Sequence, residues 1–168
     1  MKTTGIFFGS RKGVTKAFAE KIAAKIAADV YDIKDTDVSK IAEYKTVILM
    51  TPSYEFGSAQ EDWGAKIKLL HTVDFSEKNI ALVAVGSVKR HGDSFCNGAM
   101  HFYDKLALSN ARFIGATCVK SGKYGEFTGS RYMQGMGFWG LALDADDEEA
   151  VNDARIDTWA SSIKKYLA

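Results

Sequence analysis

Short, unbroken apolar runs alternate along this chain with stretches in which apolar residues recur every three or four positions. The runs are Gly5–Phe8, a weaker Val30–Ile33, Thr46–Met50, Ile80–Val85 and Phe113–Cys118. Between and after them lie the stretches Thr15–Ala28, Gln60–Leu70, Ser94–Ser109 and Asp153–Leu167, whose spacing predicts helices; in the first, Phe18, Ala19, Ile22, Ala23 and Ile26 share one face. Val47-Ile48-Leu49-Met50 and Ile80-Ala81-Leu82-Val83-Ala84-Val85 have no polar alternation, so they predict strands covered on both faces. Strands joined by helices run parallel, and the expectation is an α/β doubly wound sheet in one domain, residues 1–168. No internal repeat, low-complexity tract or linker interrupts the pattern.

Composition narrows the function classes. With 168 residues, 46% hydrophobic and 26% charged, the chain has the make-up of a globular protein with one core. No apolar run approaches the ~20 residues of a membrane span, and the N-terminal residues lack a signal-peptide core, so a cytoplasmic protein is expected. The net charge is +1 with no basic stripe interleaved with aromatics, which argues against nucleic acid as a partner. Cys96 and Cys118 are too few for a zinc site or a disulfide framework and are expected to be buried thiols. His71 and His101 are expected to pack or face solvent rather than hold a metal.

Candidate chemistry gathers at the ends of three strands. After Phe8 comes Gly9-Ser10-Arg11-Lys12-Gly13-Val14-Thr15 and then a helix signal, a turn that brings backbone N–H groups, two hydroxyls and two cations to one small volume suited to a phosphate. After the third strand comes Thr51-Pro52-Ser53-Tyr54-Glu55-Phe56-Gly57, an aromatic loop bounded by proline and glycine. After the fourth comes Gly86-Ser87-Val88-Lys89-Arg90-His91-Gly92-Asp93-Ser94-Phe95. Doubly wound sheets bind ligands at the carboxyl ends of their strands, and these loops suit a phosphorylated, planar one.

With these residues in view, the chain resembles the flavodoxins over essentially its whole length. The matching stretches are Ile6-Phe7-Phe8-Gly9-Ser10 with Gly13 and Thr15; Thr51-Pro52-Ser53-Tyr54 with Gly57, Gln60, Asp62 and Trp63; Asp74-Phe75 with Lys78; and Gly137-Phe138-Trp139-Gly140-Leu141-Ala142-Leu143-Asp144 with Arg155, Ile156 and Trp159. The last resembles the long-chain subgroup, in which an extra segment, here about Ser121–Phe138, interrupts the fifth strand. The resemblance implies a five-stranded parallel sheet in the order 2-1-3-4-5 between two helical layers, with FMN as cofactor and electron transfer between a reductase and acceptor proteins as function. A monomer is expected.

Carried over residue by residue, the resemblance assigns Ser10, Arg11, Lys12, Gly13, Val14 and Thr15 to the phosphate. Pro52, Ser53, Tyr54, Glu55, Phe56 and Gly57 fall to one face of the flavin, and Gly86, Ser87, Val88, Lys89, His91, Gly92 and Phe95 to the other. Tyr54 stands where the family usually has tryptophan, and the Glu55-Phe56 peptide corresponds to the segment that reorients with flavin redox state. Two departures stand out. Lys12 replaces a threonine of the phosphate loop, and Lys89 replaces an acidic residue. The outer stacking tyrosine is missing, leaving His91 or Phe95 to take its role. A lysine some 6–8 Å from reduced flavin raises the expected potential on the order of 100 mV. The ring of Lys89 and Arg90 suits an acidic partner or an anionic small molecule, while Asp144-Ala145-Asp146-Asp147-Glu148-Glu149 reads as the solvated start of a helix. Three functions stay open: an FMN electron carrier, an FMN-dependent reductase with one flavin face open to substrate, and a binding module that has lost the flavin.

Overall fold

The computed structural model describes residues 2–167. In chain order the elements are β1 (Lys2–Phe8), α1 (Val14–Ile26), β2 (Asp29–Asp32), β3 (Tyr44–Tyr54), β4 (Ser58–Ala59), α2 (Glu61–Leu69), β5 (Asn79–Gly86), α3 (Val88–His91), α4 (Met100–Leu106), β6 (Arg112–Ile114), β7 (Thr117–Cys118), α5 (Val119–Gly122), β8 (Met133–Gln134), β9 (Gly137–Phe138), β10 (Leu141–Asp144) and α6 (Glu149–Ile163). The principal sheet runs β2-β1-β3-β5-β10, all parallel, with β6 also on β5 and the short β4 antiparallel to the end of β3. Counting β6 and β10 as one interrupted strand, this is the expected 2-1-3-4-5 order.

The unbroken apolar runs are explained by the two layers. Ile6, Phe8, Ile48, Met50, Ala81 and Val83 point to the side covered by α1 and α6, where Ala19, Ile22, Ile156 and Trp159 meet them. Phe7, Val47, Leu49, Ile80, Leu82 and Ala84 point to the other side, onto Trp63, Phe102, Tyr132 and Phe138. Each strand thus alternates between two cores rather than between core and water.

The fifth strand is split. Ile114 pairs with Ala81 and Leu141 pairs with Val83, so residues 115–140 leave the sheet and return almost in register. The run Phe113–Cys118 is therefore not one strand. Gly115 breaks it in a left-handed conformation (φ 81°) where a Cβ would stand 2.6 Å from Trp159 Nε1, and Thr117–Cys118 instead joins the antiparallel set β7-β9-β8. The excursion is longer than the Ser121–Phe138 expected from sequence.

The helix expected over Ser94–Ser109 forms only from Met100. Before it, Cys96 adopts a left-handed conformation (φ 60°) and Asn97–Ala99 makes a 3-10 turn. Gly98 is pressed against the end of β3, its hypothetical Cβ 3.0 Å from Pro52 O, and its N–H donates to Ser53 Oγ at 3.0 Å. Tight packing on the neighbouring loop has overridden helical periodicity here.

Candidate functional site

Because β1, β3 and β5 are parallel, their carboxyl ends open at one edge of the sheet. The three loops found in the sequence line one cleft there, of about 290 Å³. Ser10, Arg11, Lys12, Val14 and Thr15 come from the first, Pro52, Ser53 and Tyr54 from the second, and Gly86, Ser87, Arg90 and His91 from the third.

The first loop is held by Gly13, whose N–H donates to Ser10 Oγ at 3.0 Å. Gly13 has φ 87°, and a Cβ there would meet nothing within 4 Å, so glycine is required for the backbone bend and not for room. As the N-cap of α1 it offers no side-chain acceptor. The first-turn N–H groups of a thirteen-residue helix are thus left uncapped beside the cleft. Thr15 is buried, whereas Lys12 is exposed and has no ion pair among the described residues.

Arg11 is committed elsewhere. Its guanidinium forks onto Glu61, Nε to Oε1 at 3.0 Å and Nη2 to Oε2 at 2.9 Å, and lies 4.5 Å from the centroid of the Tyr54 ring. The hydrogen bond from Arg11 holds the Glu61 carboxyl below its ordinary range. Burial pushes the Tyr54 phenol up.

The second loop turns through three successive left-handed residues, Glu55 (φ 23°), Phe56 (φ 40°) and Gly57 (φ 95°). For the two non-glycine residues this conformation is strained. Phe56 projects into solvent, 92% exposed, while Gly57 is buried and its carbonyl accepts from His101 Nε2 at 3.1 Å. Glu55 lines a smaller recess beside the cleft, shared with Arg11, Tyr54, Glu61 and His91.

In the third loop Ser87 caps the one-turn α3. Its Oγ accepts from Arg90 N at 3.1 Å and donates to Asp146. Arg90 Nη2 reaches Asp146 Oδ1 at 3.3 Å, and Val88 N–H donates to Asp144 Oδ2 at 3.3 Å. The two acids shift in opposite directions. Burial raises the Asp144 carboxyl, whereas the Ser87 hydroxyl and then Arg90 lower that of Asp146. The acidic run is therefore not a merely solvated helix start: two of its members knit the third loop to β10.

Several sequence-predicted residues do not reach the cleft. Phe95 is fully buried, packed against Phe127 (5.3 Å between centroids), Tyr124 and Phe138, which removes it as a replacement for the missing outer aromatic. Val88 packs beside Gly125 of the excursion, and the Gly92 carbonyl is taken by the N–H groups of Thr128 and Gly129. Lys89 is exposed and outside the lining. Val85 and Ala145 line the cleft without having been assigned to it, and Arg90, expected beside Lys89 at the flavin edge, is part of the lining. The signal for Arg90 lay in Ser87: a capping serine starts a helical turn, and the residue three positions on returns to its side. Cys96 is buried as expected, but Cys118 is exposed. Among the described residues no group of three or more His, Cys, Asp or Glu is placed to hold a metal, and no helix is long and apolar enough to cross a membrane.

Comparison with known proteins agrees with the geometry. The sequence profile of the flavodoxin family matches residues 6–159. A flavodoxin of Helicobacter pylori is 32% identical over the whole of both chains, and flavodoxin 2 of Salmonella typhi is 32% identical over 98% of this chain and 96% of its own. Among solved structures, Fusobacterium nucleatum flavodoxin bound to flavin mononucleotide superposes with a TM-score of 0.91 at 27% identity, covering both chains fully. Oxidised flavodoxin 1 of Bacillus cereus, at 16% identity and a TM-score of 0.71, shares the fold. On its sequence profile, full-length relatives and sheet order together, the chain belongs to the flavodoxin family.

Proposed function

We propose that this protein binds FMN in the cleft at the carboxyl ends of β1, β3 and β5 and carries electrons at low potential between a reductase and acceptor proteins. The observation that carries the reading is the uncapped start of α1, behind an open Gly13 turn, facing the same cleft as the Tyr54 ring. The residues present fit the group: the first-turn N–H groups, the Ser10 and Thr15 hydroxyls and Lys12 are donors for a phosphate, and Tyr54 is a flat partner for the ring. When bound, FMN supplies the capacity to accept and release electrons. The chain positions it, keeps water from one face with Tyr54 and sets the charge around it. Glu55 and Phe56 border the ring with a backbone already in an uncommon conformation. His91 is the remaining group to cover the other face, since Phe95 is in the core.

Two measurements test this. Adding the flavin-free protein to FMN should quench the flavin fluorescence stoichiometrically, and the loaded protein should be reduced by a flavodoxin reductase with NADPH and pass electrons to a haem protein. Absence of quenching would leave a binding module without flavin. A second reading is supported by Arg90 and His91, polar groups where an aromatic cover is expected: a reductase acting on a small anionic acceptor at the open flavin face. Saturable turnover of such an acceptor, with no transfer to protein partners, would favour it over the carrier.

A further inference from the structure

A second cavity, of about 540 Å³, lies between α6 and residues 116–124 of the excursion and shares no lining residue with the cleft. Its size falls in the range of roughly 300–1,000 Å³ typical of small-molecule sites. The space exists because α6 turns Ala150, Ala154 and Thr158 toward it, one turn apart and too small to fill it. The partly exposed Val151 and Tyr124 supply apolar walls.

Charge around this cavity has one sign. Lys123 and Arg155 line it, and no Asp or Glu does. Arg155 is a buried, rigid part of the wall: its guanidinium lies 3.9 Å from the Tyr124 centroid and donates to the carbonyls of Gly122 (2.7 Å) and Lys123 (3.2 Å) and to Asn152 Oδ1 (2.9 Å). Asp147 Oδ2 stands 2.7 Å from Arg155 Nη1 and neutralises it, and Asp147 is not part of the lining. Lys123 is exposed at the rim and has no ion pair among the described residues. An apolar hollow walled by Tyr124 and Val151, with an unneutralised cation at its mouth, complements a molecule with an aromatic body and an acidic head.

We propose that this cavity is a binding site for a small aromatic carboxylate, its ring against Tyr124 and Val151 and its carboxylate at Lys123. The exposed Cys118, whose thiol is lowered by the N–H groups of Ser121 and Lys120, sits in the same lining and serves as a reporter. The probe is 2-naphthoate, added to the flavin-loaded protein and followed in amide spectra. Resonances of residues 117–124 and 150–162 should shift saturably while those of the cleft loops stay still, and iodoacetamide labelling of Cys118 should slow about threefold or more at saturation. Filling the space with Ala154→Trp should weaken binding about tenfold, and so should replacing the probe by the cationic 2-naphthylmethylamine. Lys123→Glu, at an exposed position that leaves the fold intact, should weaken it about fivefold. The proposal is overturned if millimolar 2-naphthoate shifts none of these resonances, or if the amine binds as tightly. It is equally overturned if Lys123→Glu binds like the parent, a result that stands even where Ala154→Trp fails to fold.

Discussion

Arg11 spends its charge on Glu61 and its flat face on Tyr54, so the cation nearest the ring platform is neutralised before any ligand arrives. The pair is half-exposed and adds little stability. Its effect is to order Tyr54. Truncating that ring with Tyr54→Ala should weaken FMN binding roughly 5- to 150-fold, taking the ~1–3 kcal/mol typical of aromatic stacking on a base, whereas Tyr54→Phe should bind nearly as the parent does; fluorescence titration separates the two. Of the two lysines that depart from the family pattern, the structure favours Lys12 as the one that matters. Lys12 lines the cleft, and Lys89 lies outside its lining. Lys12→Gln should therefore lower the flavin potential by some tens of millivolts, and Lys89→Asp should move it less, in potentiometric titration at low salt. Equal shifts would mean that the third loop moves when flavin binds.

At the level of elements, the first and third loops are shaped by different devices, one by backbone conformation and one by buried acid. Gly13→Ala meets no steric obstacle, so its cost should be the left-handed strain alone, about 1–2 kcal/mol. Thermal unfolding of the flavin-free protein should show that loss, with FMN affinity falling as the turn relaxes. The third loop should respond to pH through Asp146. Its folded pKa lies below the ordinary carboxylate value, so the undocked loop binds more protons in acid. Its contribution is then complete above about pH 4 and disappears as pH falls through the lower folded value. Amide protection of residues 87–91, taken relative to the intrinsic exchange rate at each pH, should be flat from about pH 8 to 5 and fall below about 4; in Asp146→Asn it should be low throughout. Asp144 works in the opposite sense. Burial raises it, so its ionisation opposes folding as pH rises toward its folded value.

For the whole molecule, the strands and the location of the cleft were legible in the sequence because they depend on features that act locally, whereas the sheet order, a matter of long-range pairing, came only with the family resemblance. Unbroken apolar runs mark strands with two covered faces, and a Gly13 turn before a helix marks a cradle. What was illegible depended on contacts distant in sequence. That Phe95 is buried follows from Phe127 and Phe138, which no spacing around Phe95 announces. That Arg11 is neutralised follows from Glu61, fifty positions further along the chain. The family pattern placed loops well and individual side chains less well, because loop position is set by the sheet and side-chain direction by neighbours.

The split strand carries one more consequence. Along β5 the partner of Ala81 is Ile114 and the partner of Val83 is Leu141, so only the position opposite Leu82 separates the two halves. A single linking residue in place of residues 115–140 would restore an uninterrupted ladder, and shortening a loop changes closure entropy slowly, by about 0.6 kcal/mol per halving. Yet the same deletion strips Tyr132 and Phe138, both fully buried, from the face that covers Leu82 and Phe95, at roughly 3–5 kcal/mol for each aromatic lost. Such a shortened chain should unfold at lower denaturant than the parent although every rung of its sheet is complete. Hydrogen-bond continuity and core coverage have come under separate control: the strand is indifferent to how far the chain wanders before it returns, and the core is not.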